Sequence, residues 1–107
     1  MRGHHAVGDE LCTTAINVEE VVRGLRPSEE ERTRLMFEGL IVLPLGVREG
    51  WQAGAWRRQF ASEGVTLSQP DCLVAAAALT SGGRLVTGNP AHFPMSDVEV
   101  EHWPVGK

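Results

Sequence analysis

The stretch TLSQPDCLVAAAAL, residues 66–79, decides the fold. Every residue from Cys72 to Leu79 is apolar, whereas a helix on a protein surface carries one apolar stripe and one polar face. The stretch therefore predicts a buried helix. Its start contains Ser68, Pro70 and Asp71. Asp71 directly precedes this apolar segment. Its carboxylate is either part of a helix cap or a ligand of a bound group.

The length and composition of the chain are typical of one compact soluble domain. It has 107 residues, 42% of them hydrophobic, and no long charged or repetitive tract. No stretch approaches the roughly 18 apolar residues of a membrane span, and the first ten residues contain no apolar signal core. We therefore expect a cytoplasmic protein with no membrane partner. The net charge of −4 argues against coating nucleic acid by bulk positive charge but leaves room for a local basic groove.

The cysteines and histidines do not indicate a zinc site. Cys12 and Cys72 each lie inside an apolar run and form no C-x-x-C pair, so we expect reduced, buried thiols. Two of the four histidines lie near the start of the chain, and His92 and His102 lack the spacing of zinc ligands.

Hydrophobic periodicity predicts strands that alternate with helices. Strands are expected at residues 11–16, 41–45, 82–89 and 96–103. Helices are expected to begin at Asn17 and at Ser28, to span residues 47–64, and to occupy the stretch 66–79 quoted above. Residues 1–10 show no periodicity, and we expect them to be disordered. Strands that alternate with helices predict an α/β fold, a parallel sheet with helices on both faces.

Three polar residues follow predicted strands or open predicted helices: Glu20, Asp71 and Asn89. In open α/β sheets, ligands bind beyond the carboxyl ends of the strands, so we expect these side chains to share one cleft. Carboxylates brought together repel each other, and a hard divalent cation such as Mg²⁺ relieves the repulsion.

The alternative is that these acids only cap helices. Residues 68–71 fit the S-x-x-[DE] capping pattern, and residues 17–20 form a related one. Each acid would then satisfy backbone amides, worth about 0.5–2 kcal/mol.

Three segments, taken in order, resemble the PIN-domain ribonuclease toxins of the VapC family: TTAINVEEVVRG, LSQPDCLVAAAAL and LVTGNPAHF. The resemblance spans about Leu11 to Phe93. It implies a parallel sheet flanked by helices and a type II toxin that hydrolyses RNA with Mg²⁺ or Mn²⁺. It also implies a cognate antitoxin as partner, and a homodimer.

The resemblance also assigns roles to individual residues. It implies Glu20, Asp71 and Asn89 as catalytic residues, with Asp71 and Glu20 as the metal ligands and Thr87 in support. Candidate RNA contacts are Arg23, Arg57 and Arg58, although solvated helix faces explain these charges equally well.

One part of the family pattern has no counterpart in this chain. The resemblance implies an N-terminal strand, central in the sheet, that ends in the first catalytic Asp within a stretch like D-T-[NS]-V-L. No such stretch precedes Leu11, and Asp9 follows no predicted strand. We therefore expect residues 1–107 to form a single partial domain that lacks this strand.

The alternative function is a catalytically inactive module that binds only an antitoxin or a like chain. Large apolar side chains could form such a surface, although core packing is the preferred interpretation: Leu35, Met36, Phe37, Trp51 and Trp56.

Overall fold

The computed structural model describes residues 3–7, 10–87 and 90–102, and the side chains of residues 12–86 and 90–102. The elements are β1 (Gly3–Val7), β2 (Glu10–Thr13), α1 (Ala15–Arg23), α2 (Glu30–Glu38), β3 (Ile41–Val42), α3 (Val47–Ser62), α4 (Gln69–Thr80), β4 (Arg84–Thr87) and β5 (Val100–His102). Short 3-10 helices lie at Pro27–Glu29 and Pro90–His92. The predicted α/β class is confirmed. None of the described helices has both the length and the apolar character needed to cross a bilayer.

The five strands form one sheet in the order β3-β2-β1-β4-β5. β2 is parallel to β3, and β4 is parallel to β5. β1 lies in the centre and is antiparallel to both of its neighbours. The expectation of a wholly parallel sheet is therefore wrong at its centre. The reason is the short connection from β1 to β2, because parallel strands need a crossover of about a dozen residues or more.

β1 also corrects the expectation that residues 1–10 are disordered and that no strand precedes Leu11. Residues 3–7 are a strand in which His5 pairs with Cys12 on one side and with Leu85 on the other. Backbone pairing on both sides satisfies the amides and carbonyls of β1, whatever its side chains. Hydrophobic periodicity, which depends on side chains, does not detect a strand of this kind.

Helix α4 is the centre of the core, as its sequence predicts. Its run of four alanines, residues 75–78, is at most 1% exposed, and Cys72 is fully buried. Ala53 and Trp56 of α3 belong to the same cluster. Because alanine side chains are small, they allow α3 and the sheet to approach the α4 backbone closely.

The large apolar residues of α2 and α3 divide between core and surface. Trp56 is 2% exposed, as the core interpretation predicts, and Phe37 is half-buried. Leu35, Met36 and Trp51 are exposed, at 58%, 45% and 78%, so core packing is wrong for these three. Consecutive helical residues point about 100° apart, and residues 35–37 therefore cannot all face the same neighbour.

Helix α1 begins earlier than the sequence predicts. Thr14, not Asn17, is the N-cap, and its Oγ1 accepts a hydrogen bond from the Asn17 N–H. The Thr14 hydroxyl also donates to Asn17 Oδ1 over 2.9 Å. Both residues are fully buried. The predicted strand over residues 11–16 consequently ends at Thr13, because Ala15 is already helical.

A buried carboxylate fastens the start of α3 to the end of α4. Glu49 is 6% exposed; its Oε1 accepts from the Gly46 N–H over 2.7 Å, and its Oε2 accepts from the Thr80 hydroxyl over 2.8 Å. The Gly46 bond first, and the Thr80 bond second, lower the pKa of Glu49 from its ordinary value of 4.5. Both bonds favour the ionised form.

We expect Glu49→Gln to reduce the free energy of unfolding by roughly 1–2 kcal/mol at neutral pH, because charged acceptors form stronger hydrogen bonds. A lowered folded-state pKa stabilises the protein fully above the unfolded-state pKa, and this stabilisation is lost as pH falls through the folded value. The difference between wild type and variant should therefore shrink below about pH 4.5. Urea denaturation at several pH values measures this difference in unfolding free energy. The control is Glu63→Gln, at an exposed acid at the end of α3. A difference independent of pH would contradict the assignment.

We expect His5→Pro to disrupt the pairing of β1 with β2, because proline cannot donate a hydrogen bond within a central strand. Amide hydrogen exchange should accelerate at Cys12, the residue of β2 that pairs with His5. The N–H of Leu85 donates to the Glu99 carbonyl on the other side of β4, so its exchange should change less. His5→Val, which keeps the N–H, is the control. Unchanged exchange at Cys12 would show that β1 is not paired with β2 as described.

Candidate functional site

The start of α4 is capped by Ser68. The Ser68 Oγ accepts a hydrogen bond from the Asp71 N–H over 3.2 Å, and Pro70 lies in the first turn, where proline costs no hydrogen bond. The capping interpretation is thus correct for the Ser68 hydroxyl. Asp71 is 5% exposed, in the first turn of the helix, where the helix dipole favours negative charge.

The carboxylate of Asp71 faces a histidine. Nδ1 of His92 lies 3.7 Å from Asp71 Oδ2, and the His92 side chain is about half exposed. Sequence reasoning missed this residue, because His92 has no regular spacing to any other potential ligand. The available signal was its position, since His92 follows the carboxyl end of β4 just as Asn89 does.

Glu20 lies in a cleft between α1 and the first turn of α4. The cleft has a volume of about 330 Å³. It is lined by Ala15, Ile16, Glu19, Glu20 and Arg23 of α1 and by Gln69, Pro70 and Leu73 of α4. The Oε1 atom of Glu20 is buried. Two acids that are far apart in the chain, Glu20 and Asp71, therefore belong to elements that meet at this cleft.

Two of the predicted site residues are not covered. Asn89 and the side chain of Thr87 lie outside the described residues. Thr87 is the last residue of β4, and its backbone pairs with Gly3 of β1.

The three candidate arginines occupy different surroundings. Arg23 lines the cleft and forms an exposed ion pair with Glu19 over 3.0 Å. Arg57 donates from Nε to the Leu67 carbonyl over 3.1 Å, immediately before the cap of α4. Arg58 is exposed on α3. Only Arg23 lines the cleft that contains Glu20.

The cysteines are free and buried, as predicted. Burial raises the pKa of the Cys72 thiol, the positive charge of Arg57 lowers it, and Asp71 adds to the increase. A thiol of this kind is mostly protonated at neutral pH, which disfavours a role as nucleophile.

The side chains that could bind a metal ion suit a cation that keeps several waters better than a cation enclosed by protein ligands. In the part of the chain with described side chains, no three His, Cys, Asp or Glu residues are placed to hold one metal ion. Mg²⁺ is commonly bound through one or two carboxylates and keeps several waters. Asp71 and the Oε1 atom of Glu20 are buried, and their carboxylates are of the donor type that such an ion accepts.

Comparison with known proteins gives one family and several similar structures. The family model described as PIN domain matches residues 4–95. The structure of VapBC-1 from nontypeable Haemophilus influenzae is similar with a TM-score of 0.78 and 22% identity, over 92% of this chain and 78% of that one. VapBC2 from Rickettsia felis, bound to a DNA fragment from its promoter, is similar with a TM-score of 0.72 and 20% identity, over 86% and 74%. No curated protein matches the sequence significantly.

Proposed function

Because the chain belongs to the PIN domain family, we propose that it is a metal-dependent endoribonuclease of the VapC type, a toxin that hydrolyses RNA phosphodiester bonds in the cytoplasm. The observation that carries this proposal is the position of Glu20, which lines a cleft against the first turn of α4. Asp71 belongs to that turn. Carboxylate oxygens such as those of Glu20 and Asp71 are the usual ligand type for Mg²⁺ or Mn²⁺.

In this mechanism Asp71 and Glu20 would hold the cation, directly or through water. Such an ion would supply a water of lowered pKa and would offset charge on the phosphate. Arg23, in the same cleft, attracts and orients the RNA phosphate, for which a guanidinium is suited. Asn89 orients a water, and Thr87 supports the site by hydrogen bonding. Arg57 and Arg58 are weaker candidates for RNA contact.

The proposed protein partners are a cognate antitoxin and a second copy of the chain. Exposed apolar side chains on α3 support this proposal. Val47 is 86% exposed and Trp51 is 78% exposed, and residues four apart lie on the same face of a helix. Contiguous apolar surface of this kind commonly marks a protein interface.

A second candidate function is a catalytically inactive module that only binds an antitoxin or a second copy. The sequence of β1, GHHAV, contains no carboxylate. The residues of β1 itself, Gly3–Val7, therefore supply no acid to the site. RNA cleavage distinguishes the two functions.

We expect the purified chain to cleave single-stranded RNA only when Mg²⁺ or Mn²⁺ is present, and Asp71→Asn or Glu20→Gln to reduce the rate by roughly 100-fold or more. Cleavage of a fluorescent RNA measures the rate. Glu31→Gln, an exposed acid in the first turn of α2, is the control for loss of charge. A folded wild-type chain without activity would contradict the enzymatic proposal and favour the binding module.

We expect Trp51→Ser to weaken self-association, because it removes the largest exposed apolar side chain of α3. Sedimentation velocity over a range of concentrations measures the monomer–dimer equilibrium. Gln59→Ser, at an exposed polar residue of α3, serves as the control. A wild-type chain that remains monomeric at high concentration would contradict the homodimer.

A further inference from the structure

An arginine of α3 holds the segment that leads into α4. Nε of Arg57 donates a hydrogen bond to the Leu67 carbonyl over 3.1 Å, in the turn between the two helices. The side chain of Leu67 is 7% exposed and belongs to the core, whereas residues 63–66 of the same turn are exposed. Leu67 is therefore fixed twice, by the burial of its side chain and by the bond to its carbonyl.

The position of Arg57 in α3 explains why it can reach this turn. Ala53 and Trp56 are buried in the core, and Phe60 packs against it. Residues three and four apart lie on the same face of a helix. Arg57 follows Ala53 by four residues and precedes Phe60 by three, so it lies at the edge of the face that α3 turns towards α4.

The bond continues to Asp71 through the helix cap. The Leu67 carbonyl and the Ser68 N–H belong to one planar peptide unit, so a bond to the carbonyl orients the backbone at Ser68. The Ser68 Oγ accepts from the Asp71 N–H over 3.2 Å, and the Ser68 carbonyl accepts from the Cys72 N–H over 3.1 Å. Two successive hydrogen bonds thus link the guanidinium of Arg57 to the backbone of Asp71.

We propose that Arg57 is a positioning residue for Asp71, acting through the Leu67 carbonyl and the Ser68 cap rather than by contact with RNA. This inference rests on the proposed nuclease function and adds to it a residue outside the cleft that contains Glu20. A displacement of about 1 Å caused far from the reacting atoms can cost roughly 100-fold in rate. A hydrogen bond that fixes the start of α4 therefore contributes to catalysis without touching the substrate.

Three substitutions at Arg57 separate the effect of the hydrogen bond from the effect of the charge. Arg57→Gln has its amide nitrogen the same number of bonds from the backbone as Nε, so it keeps the donor without the charge. Arg57→Lys keeps the charge but carries its donor one bond further along the side chain. Arg57→Met keeps neither. The control is Arg48→Met, at an exposed arginine near the start of α3.

The first measurement is cleavage of a fluorescent single-stranded RNA over a range of RNA and salt concentrations. We expect Arg57→Met and Arg57→Lys to lower kcat about tenfold or more, with KM and salt dependence unchanged. Arg57→Gln should restore most of this loss, and Arg48→Met should cleave as wild type does. In a Ser68→Ala background, which already lacks the cap, Arg57→Met should lower kcat much less, because two residues that act through one contact are not additive.

The second measurement is amide hydrogen exchange followed by NMR, without metal or RNA. In Arg57→Met and Arg57→Lys the amides of Asp71 and Cys72 should exchange roughly 2–10-fold faster, the range expected for the loss of one hydrogen bond. Arg57→Gln should exchange as wild type does. The Ser81 amide, which donates to the Ala77 carbonyl at the other end of α4, should be unchanged in every variant, because the opening is local.

The outcomes separate this inference from the function on which it rests. Unchanged exchange at Asp71 and Cys72 in Arg57→Met overturns the positioning role, whatever the activity. An active Arg57→Lys beside a weak Arg57→Gln with raised KM also overturns it, because that order identifies a charge contact with RNA. If wild type cleaves no RNA, the proposed nuclease is overturned, while faster exchange in Arg57→Met supports the hold of Arg57 on the start of α4.

Discussion

A helix that is apolar on every side must be covered on every side, and the rest of the structure satisfies this requirement for α4. The four alanines at its middle leave almost no surface exposed, and α3 runs antiparallel along it, from the Glu49–Thr80 bond at one end to the Arg57–Leu67 bond at the other. The sheet covers another side, where Leu85 of β4 is fully buried in the same cluster. Burial of this helix therefore fixes the positions of both neighbours.

The buried position of α4 also determines the character of the site. The first turn of the helix carries Asp71 into a location with little solvent, where a carboxylate must find compensating charge or hydrogen bonds. The amide end of α4 favours negative charge there, and Nδ1 of His92 lies 3.7 Å from the carboxylate.

Sequence reasoning succeeds where side chains decide the structure and fails where the backbone decides it. The burial of α4, the Ser68 cap and the end of α3 near Gly64, which has a positive φ of 81°, all follow from local residue chemistry. The central strand does not, because β1 is held by backbone pairing on both sides. His92 is predictable only as a residue that follows β4, because its contact with Asp71 depends on the path of the chain after that strand. The start of α1 differs from the prediction because Thr14 and Asn17 are both good capping residues, and only the structure shows that Thr14 occupies the cap.

The reversed central strand has a consequence for the order in which the chain can fold during synthesis. β1 and β2 form a local hairpin that can close within microseconds once both segments have left the ribosome. The other edge of β1 pairs with β4, which emerges only after most of the remaining chain has been translated, several seconds later at about 5–20 residues per second. Throughout that interval the nascent hairpin presents an unpaired edge, to which another strand or another chain can bind before β4 does.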